Sequence, residues 1–161
     1  MILMALQSCK KEGHIINMTY IGDGEKKEEL QSQTKELGLD SQVWFYGPSY
    51  DDEVLSELIY NADLCVVPGN VGLTAMHSMV FGTPVITHNR YSYQMPEFEA
   101  IKEGITGAFF EYNDIDSLSN SIQEWLMNNN DRDAVRQACF KEIDEQWTPQ
   151  FQIEVLKNNL C

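Results

Sequence analysis

The architecture of this chain follows most directly from one segment, Asp63-Leu64-Cys65-Val66-Val67-Pro68-Gly69-Asn70-Val71-Gly72-Leu73-Thr74. Its first five residues form a mostly apolar run, typical of a strand that is buried on both faces of a parallel sheet. The glycines that follow turn the chain directly into a predicted helix over residues 72–82. A buried strand that leads into a helix is the repeating unit of α/β folds.

The same alternation continues on both sides of this segment. Further short strands are predicted at 18–21, 43–46, 84–87 and 108–110. Helices are predicted at 2–13, at 25–37, from Ser49 onward with Asp52 in a capping-box-like position, and in three C-terminal segments with apolar faces. Residues 128–131 are a predicted surface turn between two of these segments. The pattern predicts an α/β fold, a doubly wound Rossmann-like parallel sheet with helices on both faces.

The N-terminal end departs from this pattern. A doubly wound domain normally opens with a strand whose C-terminal loop helps to build the ligand site. Here residues 2–13 are a predicted helix that runs straight into the strand at 18–21, so the first strand of the sheet is missing from the sequence. We expect residues 1–161 to form one domain that is a fragment of a longer protein.

The chain is strongly acidic. It has 25 Asp and Glu against 11 Lys and Arg, for a formal net charge of −14 and a pI near 4.4. Such a surface repels phosphate backbones, which disfavours nucleic-acid binding. No apolar run approaches the roughly 20 residues that cross a bilayer, so we expect a soluble protein. The four cysteines form no C-x-x-C pair, which favours free thiols in a reducing compartment.

The glycine loop is the most informative candidate site. Ligands of open parallel sheets bind beyond the carboxyl ends of the strands, and Gly69 and Gly72 let the backbone approach a ligand there. The N–H groups of Gly72, Leu73 and Thr74 are expected to be free and to point at an anion, reinforced by the helix dipole. A phosphate or diphosphate is the expected ligand. The alternative is an ordinary glycine turn in which Thr74 caps only its own helix.

Two histidines lie near the same predicted edge. His77 shares a helix face with Thr74, about one turn further on. His88 follows the fourth strand, at another edge of the predicted cleft. A single histidine of this kind is ordinarily a packed or capping residue. Two histidines from two loops are also a partial metal site, but no third ligand is evident in the sequence.

Other catalytic patterns are weaker. Glu97 and Glu99 are either a general-base pair near the cleft or a solvated first helical turn stabilised by the helix dipole. The segment Gly22-Asp23-Gly24 lacks the third glycine of a dinucleotide fingerprint, because position 27 is a lysine. Ser78 does not lie in a G-x-S-x-G motif, and no P-loop motif occurs.

An ordered set of short motifs resembles a known family. The motifs are Tyr20-Ile21-Gly22-Asp23-Gly24, Val43-x-Phe45-x-Gly47, Ala62-Asp63-Leu64-x-Val66-x-Pro68, Gly72-Leu73, Gly82-x-Pro84-Val85-Ile86 and Gly104-x-Thr106-Gly107. Over residues 15–160 the chain resembles the C-terminal, nucleotide-sugar-binding domain of glycosyltransferase family 4, a retaining group with the GT-B fold. The domain of that family begins with a strand and a glycine-arginine loop that help to hold the donor phosphates, and neither is present here.

The resemblance implies roles for particular residues. The residues implied to cradle the donor diphosphate are Gly72, Leu73 and Thr74. The residues implied to border the nucleobase are Tyr46, Gly47 and Pro48. The family also places two glutamates around this helix start, the earlier on the donor sugar and the later on the ribose hydroxyls.

Both of those glutamates are absent from this chain. Their positions, eight residues apart, are occupied by Gly69 and His77. His77 can still hydrogen-bond a ribose hydroxyl through a ring nitrogen, which makes it the implied ribose-binding residue. Gly69 cannot replace a carboxylate, but Asn70 beside it is placed to contact the donor sugar.

The resemblance also implies a reaction. A hexosyl unit passes from a nucleotide diphosphate sugar to an acceptor hydroxyl with retained anomeric configuration, as in glycan or polysaccharide biosynthesis. No cofactor or metal is implied, because helix N–H groups stabilise the leaving diphosphate. The implied partners are the nucleotide sugar, an acceptor glycan, lipid or small molecule, and an N-terminal acceptor-binding domain. The full enzyme is expected in the cytoplasm, with peripheral membrane association, and the fragment alone is expected to bind nucleotide weakly and to transfer nothing.

Three other functions stay open at this point. The lost glutamates favour a non-catalytic nucleotide-binding or regulatory module of the GT-B type. Another GT-B enzyme, such as a nucleotide-sugar epimerase, needs further acid and base residues that the sequence does not identify. An NAD-dependent dehydrogenase is disfavoured by the incomplete glycine fingerprint. For the two-domain enzyme we expect an upstream segment of roughly 150 to 200 residues in the full open reading frame.

Overall fold

The computed structural model describes residues 1–129 and 131–160, and within them strands and helices alternate as predicted. The strands are β1 (Met18–Ile21), β2 (Val43–Gly47), β3 (Cys65–Val67), β4 (Val85–His88) and β5 (Gly107–Phe110). The helices are α1 (Ile2–Lys11), α2 (Lys27–Glu36), α3 (Asp52–Asn61), α4 (Leu73–Val80), α5 (Ile115–Asn128), α6 (Arg132–Gln146) and α7 (Pro149–Leu160). Short 3-10 turns cover Tyr91–Tyr93 and Pro96–Ala100. Asn130, in the predicted surface turn, and Cys161 lie outside the described residues.

Every pair of neighbouring strands is parallel. β1 pairs with β2, and a second sheet has the order β3-β4-β5. The doubly wound sheet has the strand order 3-2-1-4-5-6. Without strand 1, that order leaves one pair and one set of three strands, which are the pairings formed by β1–β2 and by β3-β4-β5. Within the described residues the strands therefore form two parallel sheets rather than one continuous sheet. A cluster around Leu3, Leu6 and Leu39 packs α1 against the β1–β2 sheet.

Helices cover both faces of the second sheet, as predicted. Ile86 of β4 packs in a cluster with Ala5 of α1 and Leu118 of α5. Its neighbour Val85 packs in a separate cluster that includes Met79 of α4 and residues of α6. Successive residues of a strand point to opposite faces, so β4 anchors two helical layers at once.

Two local predictions are wrong. The strand at 63–67 is predicted to be buried on both faces, but all residues of β3 are only half-buried, because β3 is the edge of its sheet; β4 is the fully buried strand. Helix α3 begins after Asp51 rather than at Ser49. The Asp51 carboxylate accepts hydrogen bonds from two N–H groups of the first turn, which makes it the effective N-cap.

The cysteines of the described residues behave as predicted. Cys9, Cys65 and Cys139 are free thiols. Burial raises the pKa of Cys139 to about 12, so this thiol is a packing residue rather than a nucleophile. None of the described helices combines the length and the apolar character that crossing a membrane requires.

Candidate functional site

The loop from β3 to α4 lies at the carboxyl edge of the second sheet. Its last residue, Gly72, is the N-cap of α4 and has a φ of 45° and a ψ of −142°, a conformation that strongly favours glycine. No side chain caps this helix start. Among the described residues, the backbone N–H groups of Gly72 and Leu73 have no hydrogen-bond acceptor. The helix therefore begins with two unused donors, as a phosphate-binding loop requires.

The expectation that the Thr74 N–H is also free is wrong. This group donates a hydrogen bond of 3.1 Å to the carbonyl of Val71, which closes the first turn of the helix. Thr74 is nevertheless exposed, so its hydroxyl can replace its N–H as a donor to a ligand. Spacing along the chain does not reveal a three-residue turn at the helix start, which is why the prediction fails here.

The side chain of Gln94, which no sequence pattern marks, holds this loop in place. The Gln94 side-chain oxygen accepts a 2.9 Å hydrogen bond from the N–H of Val71. Its side-chain nitrogen donates to the Thr87 hydroxyl at 2.9 Å and to the His88 carbonyl at 3.2 Å. Gln94 thus connects the β3–α4 loop to the end of β4, and all three contacts use different lone pairs or protons.

Thr87 extends the same network. Its side chain is fully buried, and its hydroxyl lies 2.9 Å from the Val67 carbonyl and 3.2 Å from the Gly69 carbonyl. Because Gln94 donates to this hydroxyl, the single Thr87 proton is left for the two carbonyls. A further bond of 3.3 Å joins the Met95 N–H to the Asn70 side-chain oxygen. The implied donor-sugar residues Gly69 and Asn70 are exposed. The loop that carries them is held by the side chains of Thr87 and Gln94.

The two histidines occupy different environments. His77 is exposed on α4, on the same side as the exposed Thr74, which suits a contact with a ligand. His88 is only 1% exposed and is therefore not at the cleft surface. Its Nδ1 atom accepts a hydrogen bond from the Arg90 N–H, and its ring meets Phe110 and Tyr112 edge-on. Burial lowers the pKa of His88 below its ordinary value; a backbone hydrogen bond opposes this shift and the charge of Arg90 adds to it.

The structure does not support a metal site at these residues. In the part of the chain that the structure describes, no group of three or more His, Cys, Asp or Glu side chains could hold a metal ion. The neutral His88 ring already uses Nδ1 as an acceptor within the protein.

Glu97 and Glu99 are not equivalent. Both lie in the 3-10 turn Pro96–Ala100, which packs against α4 and α6. Glu99 is exposed, whereas one carboxylate oxygen of Glu97 is buried and has no hydrogen-bond partner within the described residues. The alternative of a solvated first helical turn therefore holds for Glu99 and not for Glu97.

The implied nucleobase residues Tyr46, Gly47 and Pro48 lie at the carboxyl end of β2, in the first sheet. Tyr46 is half-buried and packs edge-on against Trp44, with ring centres 5.1 Å apart. The Gly47 carbonyl accepts a 2.8 Å hydrogen bond from the Gly22 N–H, which joins the loops after β1 and β2. The residues implied to cradle the diphosphate and those implied to border the nucleobase thus both lie at carboxyl ends of strands, in two different sheets.

Solved structures of similar shape contain UDP. HepE from Anabaena in complex with UDP matches with a TM-score of 0.74 at 20% identity, over 97% of this chain and 44% of HepE. A TarM mutant from S. aureus, in complex with fondaparinux, alpha-GlcNAc-glycerol and UDP, gives 0.80 at 16% identity, over 98% of this chain and 31% of TarM. The pneumococcal O-GlcNAc transferase GtfA, in complex with UDP and GlcNAc, gives 0.76 at 16% identity, over 98% and 31% of the two chains. The likeness shows a shared Rossmann-like fold of the GT-B type, and the chain spans less than half of each of these structures.

Sequence comparison gives the family. No curated protein sequence matches the chain significantly. The family model described as "Glycosyl transferases group 1" matches residues 1–142, which is most of the chain. The chain therefore belongs to the group 1 glycosyl transferase family.

Proposed function

We propose that this chain binds a nucleotide diphosphate sugar as the donor-binding, C-terminal half of a two-domain glycosyltransferase. The observation that carries the proposal is the pair of unused N–H groups at Gly72 and Leu73, where β3 runs into α4. Backbone donors at a helix start suit the oxygens of a diphosphate. Membership of a glycosyl transferase family, and the UDP bound by the similar structures, support the same ligand class.

Each part of the proposed donor has a separate set of contacts. The diphosphate contacts two N–H groups and a hydroxyl, those of Gly72, Leu73 and Thr74. The ribose contacts the exposed ring of His77, and the sugar lies beside Gly69 and the Asn70 amide. The nucleobase is bordered by Tyr46, Gly47 and Pro48. These assignments follow the family resemblance, modified by the hydrogen bonds around the loop.

The proposed reaction is transfer of a hexosyl unit with retention. The bond between the anomeric carbon and the diphosphate oxygen breaks, the acceptor hydroxyl oxygen bonds to the anomeric carbon, and the acceptor proton passes to the leaving diphosphate. The N–H groups of Gly72 and Leu73 stabilise the negative charge on the leaving diphosphate, without a metal ion. We assign the acceptor site to an N-terminal domain, and therefore expect binding but no transfer by these 161 residues alone.

Calorimetric titration with UDP, GDP, ADP and NAD tests the proposal. We expect at least one nucleoside diphosphate to bind, with an affinity that EDTA does not change. NAD is expected not to bind. Binding of NAD but of no nucleoside diphosphate would contradict the proposal and favour a dinucleotide enzyme.

A second function is favoured by one specific observation. The two positions at which the family resemblance implies glutamates, Gly69 and His77, carry no carboxylate. A non-catalytic nucleotide-binding module would keep the β3–α4 loop for the phosphates and lose the two carboxylates. Full-length protein, incubated with the nucleotide sugar that binds and with candidate acceptors, separates the two functions, because only the enzyme consumes the donor.

A further inference from the structure

One cation at the carboxyl edge of the sheets differs from the others. Lys26 and Lys27, after β1, are paired with Glu29 at 2.7 Å and with an aspartate at 2.8 Å. Arg90, two residues after β4, has no carboxylate within 4.0 Å in the described residues. In a chain of net charge −14, an unpaired guanidinium at the ligand edge is an unusual feature.

Aromatic rings hold this guanidinium in place. Its central carbon lies 3.9 Å from the ring centre of Tyr93 and 5.1 Å from that of Tyr112. The two rings are stacked, with centres 5.6 Å apart and planes 13° apart. The backbone is fixed as well, because the Arg90 N–H donates to the buried His88 ring and the Asn89 side chain accepts from the Tyr112 N–H. The guanidinium is therefore oriented, while its own N–H groups have no acceptor in the described residues.

The position of Arg90 relative to the β3–α4 loop determines which part of a bound donor Arg90 can contact. β4 pairs directly with β3, and the Asn70–Met95 hydrogen bond holds the segment after β4 against the loop. The implied nucleobase residues, in contrast, follow β2 in the other sheet. A donor with its base near β2 and its diphosphate at Gly72 places its glycosyl end on the β4 side of the loop.

We propose that Arg90 recognises the transferred glycosyl unit and that this unit carries a carboxylate, as a hexuronate does; the proposal rests on the proposed function. A guanidinium binds a carboxylate through two parallel hydrogen bonds, a geometry that Tyr93 and Tyr112 pre-organise here. The diphosphate already has the donors of the α4 start, so it does not need Arg90. An acidic sugar does need a local cation, because the overall charge of the chain repels it.

The test compares UDP, UDP-glucose and UDP-glucuronate on the full 161-residue chain by calorimetry at one ionic strength. GDP, GDP-mannose and GDP-mannuronate are titrated in parallel, so that the preferred base does not decide the outcome. We expect the uronate donor of the bound base to bind about tenfold more tightly than the neutral one, as a charge-assisted pair predicts.

Arg90→Gln should remove this preference without changing the affinity for the nucleoside diphosphate, and Arg90→Lys should keep part of it. Arg132→Gln, which alters an arginine that bonds the carbonyls of Tyr60 and Ala62 outside the proposed site, is the matched control and should keep the full preference.

The outcomes separate this inference from the proposed function. Equal affinities for the uronate and the neutral donor in the unaltered chain would overturn the inference and leave the proposed function standing. An Arg90→Gln protein that loses affinity for the nucleoside diphosphate itself would assign Arg90 to the diphosphate, and would also overturn the inference. Failure of all six compounds and of ADP to bind would overturn both. Circular dichroism of each variant confirms that its fold is retained.

Discussion

His77 stands where the family resemblance implies a carboxylate, and its exposed ring is the proposed ribose contact. Replacement by alanine removes one hydrogen bond to the ligand, so we expect His77→Ala to weaken binding of the nucleoside diphosphate about threefold to tenfold. Calorimetry with UDP and GDP measures the change. His14→Ala is the matched control, because His14 precedes β1 at the opposite edge of the sheet and should leave affinity unchanged. Equal affinities of the His77 variant and the unaltered chain would show that His77 does not contact the ligand.

Gln94 holds the β3–α4 loop through hydrogen bonds to the Val71 N–H, the Thr87 hydroxyl and the His88 carbonyl. In Gln94→Met the side chain keeps its length but leaves the Val71 N–H and the His88 carbonyl without their partner. We expect a loss of about 1–3 kcal/mol in the free energy of unfolding, measured by urea denaturation, together with weaker nucleotide binding. Gln152→Met on the exposed face of α7 is the control. A Gln94 variant as stable as that control would contradict the role assigned to the network.

The sequence predicts candidate site residues only where local spacing carries the information. The turn from β3 into α4 could be predicted, because its glycines and its helix start are adjacent in the chain. Gln94 could not, since its partners at Val71 and Thr87 are 23 and 7 residues away and no local pattern marks them. The same limit explains Thr74, whose N–H is used within a turn that spacing alone does not reveal.

At the scale of single elements, the start of α4 is the structural basis of the proposed site. Gly72 has a positive φ that alanine adopts only with strain, so Gly72→Ala should cost about 1–3 kcal/mol of stability and should abolish measurable nucleotide binding. Urea denaturation and calorimetry measure the two effects. Gly24→Ala is the control, because Gly24 has open space around it and no positive φ, and it should change stability by less than about 0.5 kcal/mol. Unchanged binding by the Gly72 variant would contradict the proposed loop geometry.

The elements themselves could largely be predicted from the sequence. β1 occupies the predicted residues Met18–Ile21, and β4 is shifted from the prediction by only one residue. The burial of β3 could not be predicted, because an apolar run looks the same at the centre of a sheet and at its edge. The prediction that α3 starts at Ser49 is wrong for a related reason: Asp51 is an equally good capping residue type, and only its hydrogen bonds in the structure identify it as the N-cap.

At the scale of the whole molecule, His88 makes stability depend on pH. Burial lowers its pKa in the folded state below the unfolded value of about 6.5, so the unfolded chain binds a proton more readily. The contribution of His88 to stability is therefore complete above about pH 6.5 and decreases as the pH falls below that value. We expect urea denaturation at pH 8 and pH 5.5 to show a smaller loss of stability for His88→Gln than for the unaltered chain. Identical pH dependence of the two proteins would show that His88 titrates normally.

The net charge of the chain has the same sign as the charge of the proposed ligand. A chain of net charge −14 repels a diphosphate at long range, so attraction must come from nearby groups. For the diphosphate these groups are the unused N–H groups of Gly72 and Leu73, and for the proposed acidic sugar the group is the guanidinium of Arg90. All three lie at the carboxyl ends of two adjacent strands, β3 and β4. The proposed binding is therefore a local property of this edge and does not follow from composition.

The most direct test of the central claim is an NMR titration of the 15N-labelled chain with UDP and, in parallel, with GDP. If the backbone at the start of α4 binds the diphosphate, the amide signals of Gly72 and Leu73 should show the largest shifts, with smaller shifts at Thr74 and His77. Uridine and guanosine, which lack the diphosphate, should leave the Gly72 and Leu73 signals in place. Saturating shifts confined to the Gly22-Asp23-Gly24 loop, with Gly72 and Leu73 unmoved, would contradict the account.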